Sequence, residues 1–386
     1  MKKLIGILSA LLMMINSFAQ EELNTITTSV PFLLIGPDAR AGAMGDVGVA
    51  TTPDVNSMHW NPAKFAFVEN DLGISISFVP WLRALVNDIN LSYITGYKKT
   101  GNDQAVGFEL GYFSLGQITF TDNNGGLIGN YTPNEYVIGS AYSRKLADNF
   151  SLSIGGKYIL SDLTGGQSVG GYETVSGQSI AADLAGFYSE SVRIARQDID
   201  LAIGLNISNI GSKIRYTETA TNDFIPINMR LGTALGTDID DYNKISLAFD
   251  INKLLVPTPP EYDDQGGIVS GKDPDVSVVS GIFQSFGDAP GGLKEEMREI
   301  MYSVGAEYWY DNQFALRAGY FNEHDTKGGR KYFAFGMGMR YTVYTIDFSY
   351  LVNANTEAGV ANPLANTMRF SLNWDFGRVT EKINEN

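Results

Sequence analysis

The chain has 386 residues and a net charge of −15 at pH 7, with 43 acidic residues against 28 lysines and arginines. This acidic balance argues against nucleic acid as a partner, because binding to phosphates requires clusters of basic residues. The sequence contains no cysteine, so it offers neither disulfide bonds nor a cysteine for lipid attachment.

Residues 1–19 are predicted to be a secretory signal peptide. Lys2 and Lys3 precede an apolar run at 4–15, and residues 17–19 offer small side chains for cleavage before Gln20. No later segment approaches the roughly 18 uninterrupted apolar residues that a spanning helix requires. A membrane protein with this sequence is therefore expected to cross the bilayer with strands.

Residues 20–70 are predicted to form a plug in the lumen of a barrel. The segment is rich in glycine, proline and alanine and is too irregular to span lipid. A plug can be irregular because protein and water satisfy its backbone polar groups. We expect Asp38, Arg40 and Asp46 to pair with charges of the barrel wall and so to hold the plug in place.

Residues 71–376 alternate apolar and polar side chains, as in the segment from Met368 to Phe376. Stretches of about ten residues with one apolar face are typical of membrane-spanning β-barrels. The predicted fold is therefore all-β, a transmembrane antiparallel β-barrel of about 14 strands with the N-terminal plug in its lumen. The predicted strands begin near Leu72, Ile89, Val106, Tyr136, Phe150, Ile180, Ile199, Met229, Ile245, Tyr302, Phe314, Phe333, Ile346 and Met368.

The two faces of these strands differ in composition. The face expected to meet lipid carries no charge in the predicted registers, and aromatic residues near strand ends should form interfacial girdles. The girdle candidates are Tyr97, Tyr142, Tyr158, Tyr310, Tyr341 and Trp374. The other face, with charges of both signs, indicates a polar lumen; its charges are Glu109, Lys157, Asp183, Asp198, Asp200, Arg230, Asp250, Glu307, Arg317, Arg340, Asp347, Arg369 and Asp375.

The connections between the predicted strands alternate in length, as they do in barrels with short periplasmic turns and long outer loops. Short links are predicted at 100–103, 146–149, 237–243, 311–312 and 342–343. Long links are predicted at 116–133, 162–177, 209–225, 252–301, 322–330 and 353–366. With this parity both termini, including the tail at 377–386, are expected in the periplasm.

The longest loop, 252–301, is the expected partner-binding segment. Its prolines should stiffen an extended arm, and a helix start at Asp273-Pro274 should lead into an apolar stripe. A second short helix is expected after Gly291-Gly292. The candidate contact residues are Pro257, Pro259, Pro260, Ile282, Phe283 and Phe286. The alternative is a loop that folds back to cap its own barrel.

The sequence predicts no catalytic residue, no cofactor site and no metal site. His59 lies in the plug and is expected to be a packed residue. His324 lies between two acidic residues but lacks a second histidine or cysteine at the spacing of a metal site.

The amino-terminal segment resembles a known family. The stretch from Pro31 to Phe67 is similar to the hatch of the FadL family of outer-membrane barrels, in its glycine- and alanine-rich run, Asp46 and Asn61-Pro62-Ala63. The runs 30–42 and 59–64, with the run 282–292 in the longest loop, resemble the PorV family of the type IX secretion system. The resemblance implies that the plug residues include Asp38, Arg40, Asp46, Trp60, Asn61 and Pro62.

The resemblance implies a role in protein secretion at the bacterial outer membrane. Members of such a family bind the C-terminal signal domain of secreted cargo at a giant translocon channel of the SprA/Sov type. They then deliver the cargo to a sortase-like, PorU-like attachment complex. Outer-membrane lipid would surround the barrel.

Three other interpretations are weighed against this one. A FadL-like channel for hydrophobic small molecules would need a continuous apolar pocket from the loops to the hatch. An enzyme such as a lipid A deacylase would need a nucleophile and a base at the rim, and no such pairing is visible near His324. A soluble β-sandwich also alternates along its strands, but its edge strands would be expected to break the outward registers with charge.

Overall fold

The computed structural model describes residues 23–83, 86–121, 124–168, 172–194, 197–217, 221–354 and 366–377. The predicted signal peptide and all but the first residue of the predicted tail lie outside these residues. The strands are β1 Leu72–Pro80, β2 Ile89–Gly101, β3 Gln104–Leu115, β4 Ile118–Thr121, β5 Leu127–Tyr131, β6 Asn134–Ala147, β7 Phe150–Asp162, β8 Gly177–Ile194, β9 Gln197–Gly211, β10 Asn228–Asp238, β11 Asn243–Leu254, β12 Glu261–Tyr262, β13 Ile268–Ser270, β14 Met301–Tyr310, β15 Phe314–Asn322, β16 Lys331–Tyr341, β17 Tyr344–Asn353 and β18 Met368–Phe376.

Fourteen of these strands form a closed antiparallel barrel. Each strand pairs with its neighbours along the chain, and β18 closes the barrel on β1 with Leu72 opposite Phe376. The predicted barrel of fourteen strands is confirmed, and every strand begins within three residues of its predicted start. The period-two pattern succeeds because one face of every strand meets an apolar medium and the other meets the lumen.

The remaining strands form two hairpins in the long links. The hairpin β4–β5 lies between β3 and β6, and β12–β13 lies between β11 and β14. Neither hairpin was predicted, because short segments rich in glycine, asparagine and aspartate lack a strand-like period. All links that connect barrel strands alternate between two rims, which we name the short-link rim and the long-link rim.

The helices within the described residues are few and short. They are α1 Ala39–Ala43, α2 Ser57–Trp60, α3 Val278–Gln284 and α4 Leu293–Arg298, with 3₁₀ turns at Pro31–Leu34, Pro62–Phe67 and Asp325–Lys327. Helix α3 begins later than its predicted start at Asp273-Pro274, because Ser277 is the residue whose side chain caps it, accepting from the Ser280 amide. No helix within the described ranges has the length and apolar character needed to cross a bilayer.

The outward face of the barrel is apolar except at its two rims. Ile138, Ile154 and Ile180 are among its most exposed side chains. The expectation of a charge-free outward face is wrong at the strand ends: outward registers carry Lys98, Arg144 and Glu190 at the short-link rim and Asp162 and Lys331 at the long-link rim. Strand ends reach water at the rim, so charge there has no desolvation cost.

One predicted girdle residue lies on the opposite face. Tyr97 points into the lumen, is 2% exposed and packs its ring 5.3 Å from that of Phe65 in the plug. The assignment failed because a position near a strand end does not determine whether a side chain faces lipid or the lumen. The register does so: Ser75 and Thr95, on the same face as Tyr97, are also buried.

Residues 23–70 run through the lumen from the long-link rim to the short-link rim. At the first rim the Asn24 amide donates to the Thr326 carbonyl at 3.0 Å, and at the second the chain enters β1 beside the end of β18. The first described residues therefore lie at the rim opposite to the end of β18, whereas the two chain ends, both expected in the periplasm, lie outside the described residues. No feature of the sequence signalled this threading.

Candidate functional site

The plug backbone is in close contact with the barrel wall, and glycines of the wall make this possible. A Cβ on Gly319 would lie 2.0 Å from the Met44 carbonyl carbon, and one on Gly204 would lie 2.1 Å from the Val49 carbonyl oxygen. Glycine at these inward positions lets two backbones approach each other. The plug therefore fits the wall without a side-chain layer between them.

Arg40 links the plug to one side of the wall. Its guanidinium donates to both carboxylate oxygens of Glu307, at 2.9 and 2.7 Å, and to Asp54 at 2.8 Å. Glu307 also accepts from Arg317, which in turn donates to Asp347, both at 2.6 Å. This chain of buried ion pairs joins the plug to β14, β15 and β17, and removing one member would leave its partners buried and uncompensated.

Asp46 makes a second link, to β16 and β18. Its carboxylate accepts from the Arg369 guanidinium of β18 and from the Tyr332 hydroxyl of β16. Asp46 has a left-handed backbone conformation, with φ of 63°, which aspartate tolerates better than most residues. Of the three charges expected to pair with the wall, Arg40 and Asp46 do so.

Asp38 does not pair with a wall charge. Its carboxylate caps α1 by accepting from the Ala41 amide at 2.8 Å, and it accepts from the Trp60 indole at 2.6 Å. Burial and the nearby charge of Asp54 raise the pKa of Asp38 to about 6, while these two hydrogen bonds act in the opposite direction. The expected ion pair is replaced by a helix cap, because Asp38 directly precedes α1.

Trp60, Asn61 and Pro62 form the part of the plug that faces β6 to β10. Asn61 donates to the carbonyls of Val49 and Gly186, and the Ser143 hydroxyl of β6 donates to the Pro62 carbonyl at 2.6 Å. Trp60 lies under the Arg230 guanidinium, 5.2 Å from ring to charge. All three plug residues are buried, so they hold the plug and are not presented to a partner.

Two further titratable plug residues have shifted pKa values. Burial, followed by the positive charge of Arg230, lowers the pKa of His59 well below its ordinary value, so the imidazole is neutral at pH 7. Burial lowers the pKa of Lys64 to about 8. Lys64 donates to the Gly48 carbonyl and the Thr51 hydroxyl, a role that sequence reasoning missed because a lone lysine in an irregular segment carries no positional signal.

The plug separates two cavities. One, of about 900 Å³, opens at the short-link rim and is lined by charged and polar residues that include Arg40, Asp54, Lys244 and Arg340. The other, of about 560 Å³, lies near the long-link rim and is lined mainly by apolar residues that include Phe32, Trp81 and Phe113. The second cavity reaches the Asp46–Arg369 ion pair at its base.

The long loop between β11 and β14 forms a compact structure at the long-link rim. We name residues 255–300 the platform. Five large apolar side chains of its two helices and their connection are exposed: Val279 (64%), Phe283 (75%), Phe286 (53%), Leu293 (78%) and Met297 (55%).

The candidate contact residues divide into two groups. Pro257 and Pro260 are buried, and Pro259 and Ile282 are half-buried, so the expected stiff arm packs against the rest of the protein. Phe283 and Phe286 are presented to the surroundings. The sequence pattern found the apolar stripe, but it could not tell which of its residues face inward.

Five charged residues clamp the platform to the barrel. Lys253 at the end of β11 donates to Glu296 at 3.2 Å and to Glu299 at 2.6 Å, and Lys327 donates to Glu295 at 2.5 Å and to Glu299 at 3.0 Å. Asn24 also donates to Glu295 and to the carbonyl of Pro259. The plug's first described residues therefore contact the platform directly.

Within the described ranges, no three histidine, cysteine, aspartate or glutamate side chains are grouped to hold a metal ion. The His324 ring contacts the Thr326 hydroxyl at 3.0 Å. His324 therefore caps the 3₁₀ turn that follows it.

Solved structures with the same architecture are bacterial outer-membrane channels. The TodX deltaS2S3 mutant monoaromatic hydrocarbon channel aligns with 88% of this chain and 97% of its own at 11% identity, with a TM-score of 0.50. The Pseudomonas putida toluene transporter TodX covers 91% and 98% at 11% identity (TM-score 0.49), and a Pseudomonas aeruginosa FadL homologue covers 92% and 100% at 10% identity (TM-score 0.46). The chain thus shares the fold of a closed β-barrel channel with the first of these structures.

The sequence itself defines the family within that class. The profile of the family described as "Type IX secretion system protein PorV" matches residues 18–261. The chain belongs to the PorV family and is an outer-membrane component of the type IX secretion system. No curated protein sequence matches it significantly.

Proposed function

We propose that the protein is a cargo shuttle of the type IX secretion system. It binds the C-terminal signal domain of exported proteins at the giant translocon channel and hands the cargo to the sortase-like attachment complex on the cell surface. In this arrangement the long-link rim faces outside and the end of β18 faces the periplasm. Family membership supports the secretion system, and the following observation supports the shuttle.

The closed lumen is the observation that carries the proposal. The plug is in backbone contact with the wall at Gly204 and Gly319 and is ion-paired to it through Arg40 and Asp46. A barrel filled in this way has no passage for a folded protein. A secretion component of this shape must therefore act through its rims, and the platform exposes large apolar side chains at the long-link rim.

The experiment is site-specific photo-crosslinking in living cells, with a crosslinking amino acid at Phe283. The control has the crosslinker at Ile154, which faces lipid. We expect Phe283 to crosslink to the translocon channel and to secreted proteins that share a C-terminal domain, and Ile154 to crosslink to neither. Equal patterns at both positions, together with normal secretion in cells lacking the protein, would refute the shuttle.

A second function has one observation in its favour. The apolar cavity of about 560 Å³ near the long-link rim reaches Asp46 in the plug, as a channel for hydrophobic molecules would require. The structural neighbour with a TM-score of 0.50 is a monoaromatic hydrocarbon channel. Uptake of a labelled hydrophobic compound by cells with and without the protein tests this function: loss of uptake with secretion unchanged would make it the better account.

A further inference from the structure

We infer that the platform is a preformed docking surface for a protein whose contact area is apolar and bordered by lysine and arginine. This inference deepens the proposed function and rests on it for the setting of the platform in secretion. Three features of the platform carry it: the apolar side chains it exposes, the way it is fixed, and the sign of its charge.

Helix α3 packs on the barrel with one face and exposes apolar side chains on the other. The exposed side chains are therefore not needed for packing on the barrel. A Cβ on Gly281 would lie 2.7 Å from the Phe224 ring and 3.2 Å from Pro257. Val278 and Ile282 pack against the buried cluster of Ile227, Leu255 and Val256. The face with Phe283 and Val279 therefore points away from the protein.

The exposed face of the connection between the helices continues onto α4. The Lys253 ammonium lies 5.9 Å from the centre of the Phe286 ring and also bonds Glu296 of α4. Phe286 is thus beside the helix that exposes Leu293 and Met297. The platform therefore exposes apolar side chains from both helices, and exposed apolar areas of this kind mark interaction sites.

The platform is fixed before a partner arrives. The clamp of Lys253 and Lys327 with three glutamates is almost entirely buried, and the Ser270 hydroxyl of β13 donates to the Pro290 carbonyl at 2.9 Å. Asp288 accepts from the Thr258 amide across the loop. A surface held in this way loses little conformational entropy on binding, which favours affinity.

The charge of the platform selects the chemistry of the partner. Residues 255–300 contain nine carboxylates and three basic side chains. The glutamates of the clamp are neutralised by Lys253 and Lys327, and Asp275 is paired with Lys213 at 3.2 Å. The remaining exposed carboxylates, those of Glu261, Asp263, Asp264 and Asp273, form an acidic border. An acidic border attracts a basic one and repels an anionic lipid surface.

The position of the platform suits a partner in the same membrane. The buried cluster against which α3 packs also includes Ile207 of β9 and Met229 of β10. These two side chains lie on the same, outward face of their strands as the exposed Leu205 and Leu231. The platform therefore extends over the outer side of the wall at β9 to β11. A second membrane protein can reach it laterally without entering the lumen.

The first test uses photo-crosslinking at Phe283 in the full-length protein in intact cells, followed by mass spectrometry of the crosslinked peptide. We expect a protein segment with apolar residues flanked by lysine or arginine. Reversing those flanking charges to glutamate should abolish the crosslink. Combining that reversal with Glu261→Lys and Asp264→Lys on the platform should restore it.

The second test measures binding of the identified protein to the purified full-length chain in lipid nanodiscs. Phe283→Ser with Phe286→Ser should weaken binding at least 100-fold. Glu261→Lys with Asp264→Lys should slow association about 10-fold at low salt and less at high salt. The control, Leu127→Ser in the exposed hairpin β4–β5, should leave binding unchanged. Electrophoretic mobility before and after heating shows that each variant is folded.

Three outcomes overturn the inference: crosslinks to lipid alone, crosslinks to a second copy of this chain, or a partner segment bordered by acidic residues. The inference and the shuttle can fail separately. If translocon and cargo bind equally to wild type and to the Phe283/Phe286 variant, the shuttle stands and the docking surface is elsewhere. If a basic-bordered partner docks here but is neither translocon nor cargo, the surface stands and the shuttle fails.

Discussion

The plug and the platform are two irregular segments of the same chain with opposite treatment of their apolar side chains. Both contain short helices, and both are fixed by buried ion pairs, Arg40–Glu307 in one and Lys253–Glu299 in the other. In the plug, Phe65 is fully buried, whereas Phe283 of the platform is 75% exposed. Buried ion pairs therefore fix both segments. The exposure of their apolar side chains distinguishes the plug, which closes the barrel, from the platform, which presents a surface.

The largest expected effect comes from breaking an ion pair of the plug. Glu307→Gln removes the charge shared by Arg40 and Arg317 and leaves both guanidiniums buried with one carboxylate fewer. We expect a loss of about 3 to 5 kcal/mol in the free energy of unfolding, measured by urea denaturation in lipid bilayers.

The control for this variant is Lys331→Met, which removes the pair with the exposed Asp325. Exposed pairs contribute about 1 kcal/mol or less, so this control should unfold nearly like wild type. Equal losses in the two variants would show that the plug is not held by buried charge.

The next effect depends on pH and concerns Asp38. Its pKa is about 6 in the folded protein against an ordinary value of 3.8, so ionisation favours the unfolded state as the pH rises from about 4 to 6. Above that window the accumulated cost is about 3 kcal/mol. Asp38→Asn keeps a capping oxygen but cannot ionise. The variant should therefore gain stability relative to wild type as the pH rises, and a difference constant from pH 4 to pH 7 would contradict this.

A smaller effect is expected where the plug backbone touches the wall. Gly319→Ala places a methyl group 2.0 Å from the Met44 carbonyl carbon, and the backbone must shift to admit it. We expect a loss of about 1 to 3 kcal/mol in the free energy of unfolding. The control is Gly156→Ala on the outward face, where the added methyl meets nothing within 4 Å; if both variants lose the same stability, close packing of the plug is not the cause.

The smallest effect on stability should come from the platform surface. Phe283→Ser removes an exposed ring, and surface substitutions of this kind change the free energy of unfolding by about 0.5 kcal/mol or less. The same denaturation measurement checks this value. A loss above about 2 kcal/mol would show that Phe283 is part of the folded core of the platform, and the contrast between plug and platform would then disappear.

The barrel could be predicted from sequence because its signal is local and repeated. Each strand carries its own alternation, and a segment such as Met368–Phe376 shows it without reference to any other. The presence of a plug followed from the glycine-, proline- and alanine-rich composition of residues 20–70. Arg40 and Asp46 were expected to find wall partners because charges in a lumen need them.

What escaped prediction depends on contacts between residues far apart in the chain. Arg40 meets Glu307 and Asp46 meets Arg369 only because the barrel has closed. At the platform, Asn24 donates to Glu295 of the clamp, 271 positions later in the chain. Pro257 and Pro260 are likewise buried because of how the platform folds at the rim, which the residues themselves do not indicate.

The last strand of the barrel both holds the plug and closes the wall. β18 gives the plug the Arg369 pair with Asp46, a hydroxyl of Ser371 that accepts from the Ala39 amide, and an amide oxygen of Asn373 that accepts from Asn56. β18 is also the strand that joins β1 to shut the seam of the barrel. Sealing of the wall and locking of its contents therefore depend on the same strand.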